Sequence, residues 1–531
     1  LIDQNKGDIM GKKSAYIVTI DVGTGSGRCI IFDLEGTEIT SSQQEWLPKT
    51  NAKYPGSQDF DTREAWRLLC RTINDALGKA KIGNDRVVAV TSTSMREGMV
   101  LYNKDKEVIW ACPNVDARAG AEVVDMVNKD LARPIYNIAG DWPSIISPPR
   151  FRWIRNKMPE VYEEIAHVNM LSDWVLFKLS GEIVTDPSIG SSSGIFDLSK
   201  RAWSQQVIEI ADLPSGIYPE VFECGSIVGT VTANAASDTG LREGTPVVTG
   251  GADTQLALVG AGAIKPKTYT VCAGTMWQTT VLSDHPLVDP QYRLRALCHA
   301  VPGQWMTEGI GFYHGFTMRW FRDGFCQYER TKAQEEGSDV YVLMEKLAEG
   351  IPAGSNGVQA IFSNIMDVKQ WRHAPPALIG FDVLNPQASG KAACIRAIEE
   401  SAAYVTRGHI EILNELIGEP ATEVTLTGGS SKGFLWPKII ADTLGVSVKI
   451  PVIKESTSLG AAMCVLMAIG ECSSWAEAVE RLVKWDRHLE PDRETHAKYN
   501  DGYKRWIEVY SNIVPIGDKG ILPSLWRGPG V

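Results

Sequence analysis

Short apolar runs recur along this chain and pass directly into glycine-rich polar clusters. Near the start, Ala15-Tyr-Ile-Val-Thr-Ile-Asp21 reads as a strand that enters Val22-Gly23-Thr24-Gly25-Ser26-Gly27-Arg28. A second apolar run, Cys29–Asp33, follows and ends at the turn Leu34-Glu35-Gly36. The pattern returns near the middle. There Thr268–Cys272 leads into Ala273-Gly274-Thr275, and alternation resumes over Met276–Leu282. The two Gly-Thr pairs stand 251 residues apart in a chain of 531. Each predicts a hairpin with a tight turn. Two such turns facing each other would surround a phosphate chain with backbone N–H groups and hydroxyls.

Elsewhere the spacing predicts helices over Arg63–Ala80, Ala119–Leu131, Ser338–Leu347, Lys391–Leu416, Phe434–Leu444 and Ser458–Met467, with one or two more in Pro159–Leu179. Strands are predicted over Val87–Ser92, over Thr245–Thr249 before Gly250-Gly251, and over Val424–Thr427 before Gly428-Gly429. Strands alternating with helices predict α/β layers with sheets covered on both faces. A chain of 531 residues exceeds one ordinary core, so two large domains are expected. The small-residue and Lys/Pro stretch Gly260–Lys267 is the expected hinge. This divides the chain into a polar tail (1–13), an N-terminal domain (14–262) and a C-terminal domain (263–531).

Composition narrows the class. With 44% hydrophobic and 22% charged residues, the chain is not a disordered or low-complexity protein. Its 53 basic against 64 acidic residues, a net charge of −11, argue against general nucleic-acid or anionic-membrane binding. An anionic ligand held by local backbone amides remains compatible with that charge. Ten cysteines without a C-x-x-C pair, and eight histidines without H-E-x-x-H spacing, point to a reducing compartment. A disulfide scaffold and a structural zinc site are not expected. The apolar stretch Leu459–Gly470 is too short to cross ~30 Å of hydrocarbon, and a cytoplasmic location is expected.

Neither G-x-x-x-x-G-K-[ST] nor G-x-G-x-x-G occurs, so a bound nucleotide needs another cradle. Asp253 follows a strand and two glycines, at the strand end where α/β folds place ligands. A carboxylate there suits the base that phosphoryl transfer to an alcohol requires. Asp21 ends the first strand and is the expected Mg²⁺ carboxylate. Thr24 and Arg28 are expected to face the same phosphates, and Gly428-Gly429 to let a nucleotide approach the backbone closely.

Five segments in order carry a resemblance to the FGGY carbohydrate kinases of the actin-like ATPase superfamily. They are I-D-V-G-T-G-S-G-R (Ile20–Arg28), S-M-R-E-G (Ser94–Gly98), G-G-A-D-T-Q (Gly250–Gln255), A-G-T (Ala273–Thr275) and T-G-G-S-S-K (Thr427–Lys432). The resemblance implies two actin-like (ribonuclease H-like) α/β domains with a cleft between them, using ATP and Mg²⁺. It assigns the base to Asp253, the grip on substrate hydroxyls to Arg96 and Glu97, and the surface over the substrate's carbon skeleton to Trp110. It gives Gly274 and Thr275 the second phosphate hairpin and places Ser430, with Lys432, near the nucleoside.

A narrower likeness, to family members acting on a small linear signalling molecule, rests on Ser94–Asn103, Trp110–Ala119, Leu171–Trp174, Thr317–Cys326 and Ser524–Val531. Three positions depart from the wider family. Arg150 stands before Trp153 where a Lys is expected, and Thr254 and Gly25 argue against glycerol as acceptor. The implied partner is a small-molecule acceptor, with no nucleic acid and no membrane, and a homodimer is left open. Another pentulose or polyol kinase, of xylulose or ribulose type, is the alternative within the class. An actin-like nucleotide switch is the alternative outside it, and there Arg96, Glu97 and Asp253 would have no evident duty.

Overall fold

In the computed structural model, residues 15–274, 276–369, 374–452 and 455–519 are described. The expected polar tail 1–13, Thr275 and Ser524–Val531 lie outside the described residues.

Six strands form the first sheet: β1 (Tyr16–Val22), β2 (Ser26–Asp33), β3 (Glu38–Glu45), β4 (Val87–Ser94), β5 (Ile227–Thr230) and β6 (Pro246–Ala252), in the order β5-β6-β4-β1-β2-β3. Seven form the second: β7 (Tyr269–Ala273), β8 (Trp277–Ser283), β9 (Arg295–Cys298), β10 (Trp305–Phe312), β11 (Glu423–Thr427), β12 (Ser447–Pro451) and β13 (Trp485–Leu489), in the order β9-β10-β8-β7-β11-β12-β13. Their pairing senses match. β1 runs antiparallel to β2 and parallel to β4, and β7 runs antiparallel to β8 and parallel to β11. The sequence echo is therefore a duplicated sheet, the two-domain α/β arrangement of actin-like, ribonuclease H-like folds.

Helices cover these sheets for legible reasons. Helix α1 (Thr62–Ala80) is N-capped by Asp61, which accepts from the Glu64 N–H, and it buries Trp66, Leu69, Ile73, Ala76 and Leu77 at helical spacing. Helix α2 (Asp253–Gly260) follows β6 directly, so Asp253 begins a helix at a strand's end. The long helix α3 (Lys391–Ile417) packs in the second core, with α5 (Arg493–Asp518) contributing Tyr499, Tyr503 and Trp506. Helix α4 (Ser456–Ala468) leaves the second half of the chain to pack on the first sheet, where Leu459, Ala461 and Val465 join Ile17, Ile30 and Val248 in one cluster.

Helices α2 and α4 touch backbone to backbone. A Cβ on Gly260 would lie 2.0 Å from the Ser456 carbonyl oxygen, and one on Gly460 would lie 2.0 Å from that of Leu256. Gly460→Ala is expected to force the helices apart and cost about 1–3 kcal/mol, read as a lower urea midpoint.

Some elements escaped the periodicity. A strand, His167–Met170, interrupts the helical reading of Pro159–Leu179 and pairs with Met99–Tyr102, which also pairs with Val108–Cys112. Strand β10 is buried at all eight positions, including Thr307 and Glu308, so it shows no alternation. All ten cysteines are free thiols, nine of them buried. No helix among the described residues is long and apolar enough to cross a membrane.

Candidate active site

Thr24, Arg96, Glu97, Asp253, Gly274 and Gly428 line one cavity of about 610 Å³ between the two sheets. A second cavity, of about 450 Å³, is lined by Gly274, Gly429, Ser430, Lys432, Tyr341 and Trp436. Gly274 belongs to both, so the two spaces meet at the second hairpin. Both volumes suit small ligands.

Local structure explains how Asp253 reaches the cavity. The register of β6 against β4 shifts between Val248 and Gly251. A Cβ on Gly250 would lie 2.0 Å from the Ser92 carbonyl oxygen, and Gly251 has φ +143°, so the bulge requires both glycines. Ser188 Oγ accepts the Ala252 N–H at 3.0 Å and donates to Asp186 at 2.5 Å, which fixes the backbone before the carboxylate. Asp253 Oδ1 accepts from the Thr254 N–H at 2.6 Å and the Thr254 hydroxyl at 3.2 Å. Its Oδ2 has no hydrogen bond among the described residues.

Burial pushes the Asp253 carboxyl up to about 6, against the lowering effect of Arg96. Asp21 is pushed up to about 7, by burial first and then by the nearby Asp253 charge. Among the described residues Asp21 has no hydrogen-bond or ion-pair partner. Two neighbouring carboxylates that repel each other form an oxygen donor set short of a cation. That fits Mg²⁺, which takes one or two carboxylates together with phosphate oxygens. Groups of three or more His, Cys, Asp or Glu able to hold a metal are absent among the described residues.

Arg96 and Glu97 stand on a tight turn in which Glu97 adopts φ +60° and the Gly98 N–H returns to the Arg96 carbonyl at 2.7 Å. The left-handed backbone at a non-glycine stores strain of order 1 kcal/mol or more. Arg150 braces it: its buried guanidinium donates to the Glu97 carbonyl and, at 3.2 Å each, to those of Pro113 and Asp116.

Sequence reasoning missed the other half of this charge cluster. Arg96 pairs with Glu308 at 2.7 Å, and Arg295 pairs with Glu97 and with Asp141 at 2.7 Å each. All five side chains are nearly inaccessible to solvent. Burial alone would raise the Glu97 carboxyl, but Arg295 and Arg96 outweigh it and hold it below the usual range. Asp141 goes the other way, pushed by burial to about 6 despite Arg295. Arg295 and Gln278, from the second half of the chain, line the same cavity as Arg96. Lone Arg and Glu residues on buried strands gave no local signal for this.

Two expected contacts are not where the sequence reading put them. Trp110 does not line the cavity. Its ring is 7% exposed in the core around Met99, Phe151 and Trp153, and the Arg118 guanidinium lies 5.2 Å above it. Both faces of Val108–Cys112 are covered, Trp110 and Cys112 by one core cluster and Ala111 by another. Arg28 lies outside the cavity lining as well; Glu455, from the other half of the chain, holds it at 2.5 Å, and Gln43, on the neighbouring strand, at 3.1 Å. Thr24 lines the cavity and donates to Asn114 at 2.9 Å.

The N-terminal domain of the FGGY family of carbohydrate kinases matches residues 16–260, and its C-terminal domain matches residues 270–469. The chain belongs to the FGGY family of carbohydrate kinases. It is 40% identical over 519 residues to an autoinducer-2 kinase of Salmonella typhimurium strain LT2, covering 97% of this chain and 98% of that one. The autoinducer-2 kinase of Escherichia coli K12 is 39% identical over 525 residues, covering 98% and 99%.

Among solved structures, xylulose kinase from Lactobacillus acidophilus superposes with a TM-score of 0.84 at 19% identity, covering 95% of this chain and all of that one. Plasmodium falciparum glycerol kinase with ADP gives a TM-score of 0.81 at 18% identity, covering 94% and 98%. These two establish the fold. Membership of this FGGY family makes the protein a carbohydrate-type kinase and sets aside the nucleotide switch.

Proposed function

We propose that this FGGY kinase transfers the γ-phosphoryl group of ATP to the terminal hydroxyl of autoinducer-2 in its linear form, 4,5-dihydroxypentane-2,3-dione. The observation that carries the transfer is the shared cavity of Asp253 with the Thr24 and Gly274 hairpins. The acceptor rests on the identity with the two autoinducer-2 kinases along nearly the whole chain. The side chains suit it: Arg96 and Arg295 are donors for adjacent carbonyl oxygens, whereas Glu97 and Asp253 accept from hydroxyls.

In this reading the nucleoside occupies the cavity of Tyr341, Ser430 and Trp436, and its phosphates pass Gly274 and Gly428 toward Asp253. Asp253 Oδ2 takes the proton from the acceptor hydroxyl as that oxygen attacks the γ-phosphorus. The bond to the β,γ-bridging oxygen breaks and ADP leaves. Asp21 is the carboxylate that would hold Mg²⁺, which when bound neutralises phosphate charge. Closure of the two halves over both substrates would keep water from competing as acceptor. Residues 14–262 would supply the base and most acceptor contacts, residues 263–531 the nucleotide contacts and Arg295. The cytoplasm, where ATP is available, is the proposed location.

Incubation with ATP and autoinducer-2 should yield a monophosphate at the terminal carbon, identified by mass and carbon–phosphorus coupling. Faster turnover of xylulose or ribulose would overturn the acceptor assignment. The pH profile is a separate check. Protonated Asp253 cannot accept, so kcat/KM should fall as the pH drops through the region of 6 to 7 set by Asp253 and Asp21. The apparent values belong to the pair, since each charge affects the other.

A further inference from the structure

Helix α3 lines two separate spaces. Ile395 and Glu399, four residues apart, face the nucleotide-side cavity, while Ala397, Glu400 and Tyr404 face a third cavity of about 250 Å³ on the opposite side. The segment 352–360 and helix α5, through Gly502, Arg505 and Trp506, close that cavity.

Its polar groups are unevenly satisfied. The Glu400 carboxylate is fully engaged by Arg396 at 3.1 Å, the Tyr499 hydroxyl at 3.1 Å, Ser355 Oγ at 2.8 Å and the Gly354 N–H at 2.9 Å. Three other lining groups have no hydrogen-bond or ion-pair partner among the described residues. They are the Tyr404 hydroxyl, on a side chain 4% exposed, the Gln359 amide, whose Oε1 is buried, and the Arg505 guanidinium. Buried polar groups are nearly always paired, so the unpartnered Gln359 Oε1 and the hydroxyl of the largely buried Tyr404 call for a ligand, with the exposed Arg505 guanidinium at the rim of the cavity. The sequence keeps the space clear. A Cβ on Gly502, inside α5, would lie 2.3 Å from the Tyr404 oxygen, and glycine inside a helix disfavours that helix.

We propose that this cavity is a second small-molecule site, separate from the kinase centre, for a small anion whose carboxylate or phosphate oxygens accept from Arg505 and the Tyr404 hydroxyl, while an O–H of the protonated acid donates to Gln359 Oε1. Occupancy reaches the nucleotide through α3. Arg396 acts electrostatically on both Glu400 and Glu399, and Glu399 lines the nucleotide-side cavity. An anion that draws on this local positive charge changes the field at Glu399, and ADP must alter anion affinity by the same factor.

The test is calorimetric titration of inorganic phosphate, and separately of malonate, into the full chain saturated with ADP. One site is expected, weakened at least tenfold in both Arg505→Ala and Tyr404→Phe, with kcat/KM in anion-free buffer unchanged in each. The stronger of the two probes tells phosphate from carboxylate chemistry. Absence of binding by both probes, or binding that survives both substitutions, overturns the site. ADP affinity that stays constant across the anion titration overturns the coupling.

Discussion

Asp253→Asn is expected to cut phosphoryl transfer roughly 10²–10⁴-fold, the usual worth of a positioned general base, while ADP binds almost as before. Asn keeps the shape and the acceptor oxygen for the Thr254 N–H but cannot take the acceptor's proton. The same substitution is expected to stabilise the fold. The folded carboxyl titrates near 6 against an ordinary 3.8, so its ionised form is a cost carried above the folded value. Asn removes that cost, on the order of 1–3 kcal/mol. The gain should be complete at about pH 8 and disappear below about pH 3, where both states are protonated. Lost turnover with a raised urea midpoint separates a base from a merely structural carboxylate; unchanged turnover would remove Asp253 from the chemistry.

Arg295→Ala is expected to have the largest effect on stability. Arg295 is shared by Glu97 and Asp141 at 2.7 Å each, with Glu308 at 3.6 Å. Its removal leaves three buried carboxylates facing Arg96, with Arg150 acting on Glu97 as well. Breaking one side of a buried pair costs about 3–5 kcal/mol, and this arginine serves more than one pair. The orphaned carboxyls would titrate higher in the folded state, so stability is lost as pH rises through those raised values and recovered below them. Urea unfolding of the variant should therefore improve from about pH 8 to about pH 5 relative to the unchanged protein. A loss that is equal at both pH values would mean that lost packing, not unpaired charge, is responsible.

The legible part of this protein is local. A strand running into Gly23-Thr24, its echo at Gly274, and the Gly250-Gly251 pair before Asp253 are short-range patterns, and each corresponds to a hairpin or bulge of the fold. Backbone conformation over a few residues is set by side-chain branching and by glycine, so the chain order alone specifies those turns. The assembly of the charge cluster is of another kind. Arg96 finds Glu308 across 212 positions and Arg295 finds Glu97 across 198, on strands whose uniform burial erases alternation.

The same distinction explains the two displaced contacts. The motif around Trp110 is visible in the sequence, but which core cluster each face of Val108–Cys112 meets depends on its pairing with Met99–Tyr102. Arg28 looks like a free cation until Glu455, from the other half of the chain, closes on it. Sequence by itself determined the duplicated glycine-turn hairpins and the carboxylate at a strand's end, because these need only neighbours along the chain. Tertiary structure alone decided which charges meet in the cavity between the two sheets, because desolvated ions are stable only where a partner from a distant strand reaches them.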